Sequence, residues 1–253
     1  MRKGNIVVIG GKGGVGKTAI TAIMVKLLLQ KEDKLLLIDA DPVISVTYAV
    51  GEQPKHTIGE FREKLIEDSE KARESTRQPT KEIIRNLTLR SSNNFDILVM
   101  GRSEGKGCFC GINELLRFGI EGLCGEYNTT VIDCEAGIEQ INRRAVHRVD
   151  KLILVTDTSK RGMETVSQVR EVACKYFAEN PFNVYLLVNR IRSEEDKVSA
   201  EELAREYGFE VAGFIPEDMN ILKYNVLGRP LVYLPDNSES VRALEGILDK
   251  LVS

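Results

Sequence analysis

The chain has 253 residues, of which 42% are hydrophobic and 29% charged, and its net charge is −3. These values are typical of a folded domain and give no broad basic surface for nucleic acid or anionic lipid. The beginning of the sequence has no signal-peptide pattern, and no apolar run is long enough to cross a bilayer. The sequence therefore predicts a cytoplasmic protein with no nucleic-acid or membrane partner, whose five cysteines are reduced thiols.

Apolar runs alternate with helical patterns along the chain, which predicts repeated β-α units. Strands are predicted at residues 5–9, 34–38, 95–100, 129–132, 151–155, 183–188 and 210–215. Helices are predicted at residues 17–31, 112–123, 162–177, 194–207 and 238–251. The polar segment 57–90 is predicted to be a helical surface insertion. The fold class is thus a single α/β domain, 1–253, with a mainly parallel central sheet flanked by helices.

The segment 10–18, G-G-K-G-G-V-G-K-T, lies between the first predicted strand and the first predicted helix. Glycines allow positive φ, so such a loop can curl around phosphates while its N–H groups and the helix N-terminus face the anion. Lys17 is expected to reach the β- and γ-phosphates, and Thr18 to ligate Mg²⁺. The sequence therefore predicts an ATP/ADP and Mg²⁺ site of the P-loop type. The loop residues expected to hold the phosphates are Gly11, Gly13, Gly14, Val15 and Gly16.

The narrower pattern K-G-G-x-G-K-T resembles the deviant Walker A ATPases, which include MinD and ParA proteins, the nitrogenase iron protein and metal-insertion ATPases. The resemblance implies that Lys12 reaches a partner subunit's nucleotide, so that the chain forms a homodimer when ATP is bound. It also implies a catalytic set made of Lys12, Lys17 and Asp41, with Asp41 orienting the attacking water. Slow ATP hydrolysis is the expected activity.

Further nucleotide contacts follow the later strands. Asp39 is expected near Mg²⁺, and Asp133, at the end of a Walker B strand, is expected to hold a water bound to Mg²⁺. Gly137 would form the switch II turn that senses the γ-phosphate. Asn189 either contacts adenine or simply forms a turn. By resemblance, the loop that contains Pro216 and Asp218 forms a wall of the base site.

The cysteines Cys108 and Cys110 flank a phenylalanine just before a predicted helix. A helix N-terminus favours thiolate, the form of cysteine that binds metal. Two thiolates make half of a zinc site, and a two-fold dimer would bring two such pairs together. Four thiolates suit Zn²⁺, Ni²⁺ or a cluster. The remaining helical cysteines, Cys124 and Cys174, are predicted to be buried.

Together, the loop, the cysteine pair and the order of Asp133, Gly137 and Glu139 resemble the CooC family, and the similarity is expected to run over nearly the whole chain. The resemblance implies an ATP-dependent metallochaperone that assists nickel insertion into a client such as carbon monoxide dehydrogenase or acetyl-CoA synthase. Two alternatives stay open: a MinD- or ParA-like positioning ATPase, and a redox ATPase with a [4Fe–4S] cluster like the nitrogenase iron protein. The predicted C-terminal helix has an apolar face but few basic residues, which is typical of a packed helix rather than a membrane anchor.

Overall fold

The computed structural model describes residues 4–31, 34–41, 43–67, 79–101, 110–134 and 148–252. The strands are β1 (Asn5–Gly11), β2 (Leu35–Asp39), β3 (Leu89–Arg90), β4 (Asp96–Val99), β5 (Thr129–Asp133), β6 (Lys151–Thr156), β7 (Asn183–Ile191) and β8 (Val211–Pro216). The helices are α1 (Lys17–Leu28), α2 (Val46–Ala49), α3 (Ile58–Glu67), α4 (Thr80–Leu87), α5 (Cys110–Cys124), α6 (Lys160–Tyr176), α7 (Glu194–Glu206), α8 (Met219–Val226) and α9 (Glu239–Val252). A 3₁₀ turn, Leu231–Tyr233, lies between α8 and α9.

The strands form one sheet in the order β3-β4-β2-β5-β1-β6-β7-β8. Every neighbouring pair is parallel except β3 and β4, which are antiparallel. Parallel strands end at the same edge of a sheet, so the loops after β1, β2, β5, β6, β7 and β8 meet there. This edge carries the residues that the sequence predicts for nucleotide binding.

Apolar residues cover both faces of the sheet, as a parallel sheet requires. Along β1, Ile6 and Val8 belong to one buried cluster, and Val7 and Ile9 belong to the other. The first cluster includes residues of α4, α5, α6 and α7, and the second includes residues of α1, α2 and α9. The sheet is therefore a central layer between two layers of helices.

The predicted fold class is confirmed, and most differences concern the ends of elements. β1 continues through Gly11 because its last two residues pair with β6. β7 extends to Ile191 through an irregularity in its pairing with β8. Three short elements were not predicted, namely α2, the two-residue strand β3 and the helix α8. None of the three has a long periodic apolar pattern.

The segment 57–90 contributes α3, α4 and β3 to the structure. Ile58 and Ile84 are buried in the same apolar cluster as the sheet, and Phe61 and Leu87 pack against that cluster. These helices therefore bury apolar side chains against the rest of the domain.

Two further sequence predictions concern burial. Val241, Leu244 and Leu248 of α9 are fully buried, which confirms that this helix is packed on the core. Cys124 is buried as predicted, but the prediction for Cys174 is wrong, because that residue lies on the exposed face of α6 next to buried Ala173. Within the described ranges, the helices are all too short or too polar to cross a membrane.

Candidate nucleotide-binding site

The loop between β1 and α1 has the backbone shape expected of a phosphate-binding loop. Gly11, Gly14 and Gly16 have φ values of +141°, +78° and +95°. These values lie in the region that favours glycine. A Cβ atom at Gly13 or Gly14 would meet nothing within 4 Å, so this side of the loop is open. The loop leads directly into the N-terminus of α1, where backbone N–H groups stabilise an anion.

The side chain of Asn189, near the end of β7, contacts the phosphate loop. Its Nδ2 donates to the carbonyl oxygen of Val15 at 2.7 Å. A Cβ atom at Gly16 would lie 2.6 Å from the same Nδ2, so glycine is required there by space as well as by φ. Asn189 is therefore placed against the phosphate loop, and its contact with adenine stays a prediction.

Two lysines of the loop are held in different ways. Lys17 is buried, and its Nζ donates to the carbonyl oxygen of Lys12 at 3.0 Å. The side chain of Lys12 is 28% exposed and turns away from the loop, with its Nζ 3.0 Å from Asp157 Oδ2 and 3.4 Å from Ser159 Oγ. Lys17 is thus inside its own loop, whereas Lys12 lies at the rim.

The acceptor of Lys12 is itself fixed by the start of α6. Ser159 caps α6 by accepting from the Gly162 N–H, and its own N–H donates to Asp157 Oδ1 at 3.1 Å. Burial acts to raise the pKa of Asp157, but hydrogen bonds from Ser159 and Lys12 outweigh it and hold that pKa below its ordinary value. Asp157 is therefore an ionised partner for the ammonium group of Lys12 at neutral pH.

Asp133 lies at the end of β5 and joins the two hydroxyls of α1 that face the site. Its Oδ2 accepts from Thr18 Oγ1 at 3.1 Å, and its Oδ1 accepts from Thr21 Oγ1 at 2.8 Å. Burial and, to a smaller extent, the nearby charge of Asp39 together raise the pKa of Asp133 to about 7 in spite of these hydrogen bonds. A cation bound beside this carboxyl would lower its pKa and favour the ionised form.

Asp39 ends β2, in register with Asp133 of β5. Its Oδ2 accepts from the N–H groups of Ser45 and Thr47, both at 3.1 Å, and from Thr47 Oγ1 at 2.9 Å. Burial raises the pKa of Asp39 in spite of these bonds. The carboxylate thus anchors the segment that leads into α2.

The anchored segment also reaches the phosphate loop. Ser45 Oγ lies 3.4 Å from Thr18 Oγ1, the hydroxyl expected to ligate Mg²⁺. Asp41, the residue expected to orient water, is half-buried and accepts from the Val43 N–H at 2.8 Å. A movement of the Thr18 side chain would therefore directly change its contact with this segment.

The residues at this edge fit a nucleotide and Mg²⁺. The loop offers an open concave backbone with a buried lysine and a helix N-terminus, the chemistry that phosphates need. The hydroxyl of Thr18 and the carboxylate of Asp133 are hard oxygen ligands of the kind that Mg²⁺ prefers. Bound Mg²⁺ would neutralise phosphate charge, and Thr18 would leave its bond to Asp133 to bind it.

The raised pKa of Asp133 predicts a pH-dependent response to Mg²⁺. Between the ordinary value of 3.8 and about 7, the folded state binds more protons than the unfolded state, so stability without Mg²⁺ falls as pH rises. The fall attributable to Asp133 is at most roughly 4 kcal/mol. Mg²⁺ needs the ionised carboxylate, so the stabilisation by Mg²⁺-nucleotide should grow as pH rises through 7. Thermal unfolding from pH 4 to 8, with and without Mg²⁺-ADP, measures both effects.

The matched variant for this measurement is Asp133→Asn, which keeps the shape and removes the titration. Between pH 4 and 7, the melting temperature of the variant should fall much less than that of wild type. Mg²⁺-ADP should also raise it much less. If the melting temperatures of wild type and variant changed in parallel across this range, the pKa of Asp133 would not be raised in the folded protein.

The loop after β8 lies beside β7, where Asn189 is in register with Ile215. Pro216 ends β8 and is half-buried. Asp218 is buried and caps α8, accepting from the Asn220 N–H at 2.8 Å and from Ser240 Oγ at 2.6 Å. Its carboxylate thus fixes the loop and its join to α9.

The other predicted site residues fall outside the described part of the chain. Gly137 and Cys108 are among these, and Cys110 is described only as the first residue of α5. In the described ranges, no three histidine, cysteine, aspartate or glutamate side chains are grouped so that they could hold a metal ion.

The structure adds five site residues that the sequence analysis did not single out: Thr21, Ser45, Thr47, Asp157 and Ser159. Asp157 and Ser159 follow the predicted strand 151–155, and a strand-end aspartate at the common edge was a usable signal. The hydroxyl residues have no such signal, because their role depends on which carboxylate they meet.

Comparison with known proteins agrees with this geometry. Residues 6–231 match the CobQ/CobB/MinD/ParA nucleotide binding domain. An uncharacterized ATP-binding protein of Methanocaldococcus jannaschii is 34% identical over 98% of both chains. The septum site-determining protein MinD of Bacillus subtilis is 24% identical over 93% of this chain and 84% of its own.

The similarity to CooC is narrower than the sequence analysis implied. The carbon monoxide dehydrogenase accessory protein CooC of Rhodospirillum rubrum is 26% identical, over 66% of this chain and 68% of its own. The expected similarity over nearly the whole chain is therefore not found, whereas MinD is matched over a longer stretch.

Solved structures show the same fold. A ParA family ATPase from Chlorobium tepidum has a TM-score of 0.74 and 18% identity, covering 98% of both chains. MinD from Pyrococcus horikoshii, solved with Mg-ADP, has a TM-score of 0.70 and 21% identity, covering 97% of this chain and 95% of its own. The matched length, the shared fold and the phosphate loop together show that the chain belongs to the CobQ/CobB/MinD/ParA nucleotide-binding family of P-loop ATPases.

Proposed function

We propose that the chain is an ATP-hydrolysing switch that closes into a homodimer around Mg²⁺-ATP, with Lys12 of each protomer reaching the nucleotide of the other. The proposal rests on the different positions of two lysine side chains. Lys17 is buried in its own loop, whereas Lys12 lies at the rim, held by the pair Asp157 and Ser159. A partner's phosphates could compete for an ammonium group in that position.

The same arrangement supports hydrolysis in the closed dimer. Lys17 and Lys12 would stabilise phosphate charge from two sides, and Asp41 would orient the attacking water. Thr18 contacts both Ser45 and Asp133, so binding of Mg²⁺-ATP at Thr18 would change the position of the segment before α2. These roles fit both the MinD/ParA-type alternative and the metallochaperone hypothesis, and the longer match to MinD than to CooC favours the first.

The test is the dependence of ATP hydrolysis on protein concentration. If two protomers build each site, the rate per protomer should rise with concentration until dimerisation is complete, and chelation of Mg²⁺ should stop it. A rate per protomer that is constant from well below to well above the measured dimer dissociation constant would overturn the shared site. The absence of Mg²⁺-dependent hydrolysis at any concentration would overturn the ATPase itself.

A metal cargo is the second candidate function. It is favoured by the start of α5 at Cys110, two residues after Cys108, because thiolates are stabilised at a helix N-terminus. In a two-fold dimer, two pairs would offer four thiolates to Ni²⁺ or Zn²⁺, or to a [4Fe–4S] cluster. The partial similarity to CooC would then extend to a nickel enzyme as client.

The metal hypothesis predicts a stoichiometry that depends on the dimer. Wild-type protein incubated with Ni²⁺ or Zn²⁺ and a nonhydrolysable ATP analogue should retain about one ion per dimer. Replacing both Cys108 and Cys110 by serine should remove it, whereas Cys174→Ser, a change at an exposed cysteine of α6, should not. Equal metal content in the double variant and wild type would rule out the pair. Iron, sulfide and visible absorbance after anaerobic purification would instead identify a cluster.

A further inference from the structure

The helix α8 carries an exposed apolar stripe that the nucleotide site does not use. Met219, Leu222, Val226 and Leu227 are 69%, 54%, 77% and 54% exposed. Their spacing places the first three along one side of the helix, with Leu227 at the border of that side. Isolated exposed apolar residues are common, but three on one helix with a fourth directly after it are typical of a contact surface.

The stripe is not the side of the helix that packs on the core. No residue of α8 is buried, and its inner side is formed by Ile221 and Tyr224, which pack partly buried against the second apolar cluster. Tyr224 is fixed there by donating to the carbonyl oxygen of Tyr233 at 3.0 Å. The helix is thus already docked by its inner side, and the stripe faces away from the domain.

The chain segment that carries the stripe has side-chain charges of one sign. Residues 219–235 contain Lys223 and Arg229 and no acidic residue, although the whole chain has a net charge of −3. The flanking carboxylates are already engaged: Glu217 with Arg192, Asp218 with Ser240, and Asp236 with Lys26. The surface therefore offers apolar contact edged by two cations.

We propose that α8 is the docking site for a partner protein that presents an amphipathic helix with an apolar stripe bordered by aspartate or glutamate. Methionine, tyrosine and arginine, all present here, are enriched in protein interfaces. Opposite charges at the rim would fix the register of two helices packed side by side. An anionic membrane fits less well, because only two cations flank an eight-residue helix.

The position of α8 links this surface to the nucleotide. α8 begins directly after the loop of Pro216 and Asp218, and Asn189 joins that region of the sheet to the carbonyl oxygen of Val15 in the phosphate loop. The docking surface is thus only a few contacts from the phosphates. Its existence does not depend on the dimer described above.

The test uses a phage-displayed library of random sixteen-residue peptides, selected on purified full-length protein. Enriched peptides should have apolar residues at helical spacing and an excess of acidic residues. The variant with both Leu222→Glu and Val226→Glu should bind the synthesised peptides at least about tenfold more weakly, as expected when central interface contacts are lost. Lys223→Glu should weaken them by a smaller factor, and Val198→Glu, on exposed α7, should change nothing.

Four outcomes would overturn the proposal. Selected peptides could bind the double variant as tightly as wild type, or could lack acidic residues. Vesicles of phosphatidylglycerol could bind wild type and not the double variant, which would identify a membrane surface. Wild type could self-associate where the double variant does not, which would identify a second copy. Unchanged ATP affinity and melting temperature in the double variant confirm that its fold is intact.

Discussion

Replacing Lys17 by methionine should abolish ATP hydrolysis and weaken ATP binding by at least about a hundredfold. The Lys17 ammonium group is buried in the loop and bonded to the carbonyl oxygen of Lys12, where phosphate oxygens would replace that carbonyl as its partner. Methionine keeps the length and apolar stem of the side chain but removes the charge. Calorimetric titration with ATP and a phosphate-release assay measure the two effects.

The control for this variant is Lys31→Met, which lies three residues beyond the end of α1 and pairs with Asp249 at the surface. It should bind and hydrolyse ATP as wild type does, because exposed pairs of this kind contribute little to stability. If Lys17→Met bound ATP with wild-type affinity, residues 10–18 would not be the phosphate site.

Replacing Lys12 should separate binding from hydrolysis. Lys12→Ala is expected to bind ATP with nearly wild-type affinity, because the side chain points to Asp157 rather than into its own loop. Its hydrolysis should fall by roughly a hundredfold or more, since the partner's nucleotide would lose a charge that acts in the transition state. Nucleotide titration and phosphate release, measured on the same preparation, show the difference.

Replacing Asp157, which accepts the hydrogen bond from Lys12, should have the opposite effect and favour the dimer. Asp157→Asn removes the charge that holds Lys12 in the separate protomer, so dimers should form at lower protein concentration. The gain in dimer affinity should be at most roughly thirtyfold, because each of the two protomers releases one partly exposed ion pair that contributes about 1 kcal/mol or less. Lys175→Ala, at the far end of α6, is the matched control. A weaker dimer in Asp157→Asn would mean that Asp157 builds the interface instead of restraining Lys12.

The phosphate loop was predictable because its chemistry is local. The glycines and the adjacent lysine and threonine are read directly from residues 10–18, and in the structure Gly11, Gly14 and Gly16 have positive φ and α1 begins at Lys17. The central sheet was predictable for a similar reason, since buried parallel strands are continuous apolar runs. Helix α8 was missed because its apolar residues are exposed, so its sequence has no single core-facing pattern.

The partner of Lys12 could not be predicted from the sequence. Lys12 and Asp157 are 145 positions apart and meet only because β6, not β2, is a neighbour of β1 in the sheet. The anchoring of Thr47 by Asp39 likewise depends on how the chain turns after β2. Such contacts follow from strand order and loop path, which one sequence does not specify.

The most direct test of the switch is the molar mass of the protein in its two nucleotide states. With Mg²⁺ and a nonhydrolysable ATP analogue, light scattering should give twice the protomer mass of 28.3 kDa, and with Mg²⁺-ADP it should give that mass itself. Lys12→Ala should give the protomer mass in both states. Wild-type protein with the same mass in both states, or a Lys12→Ala dimer as stable as wild type, would contradict the proposal that ATP closes the dimer through Lys12.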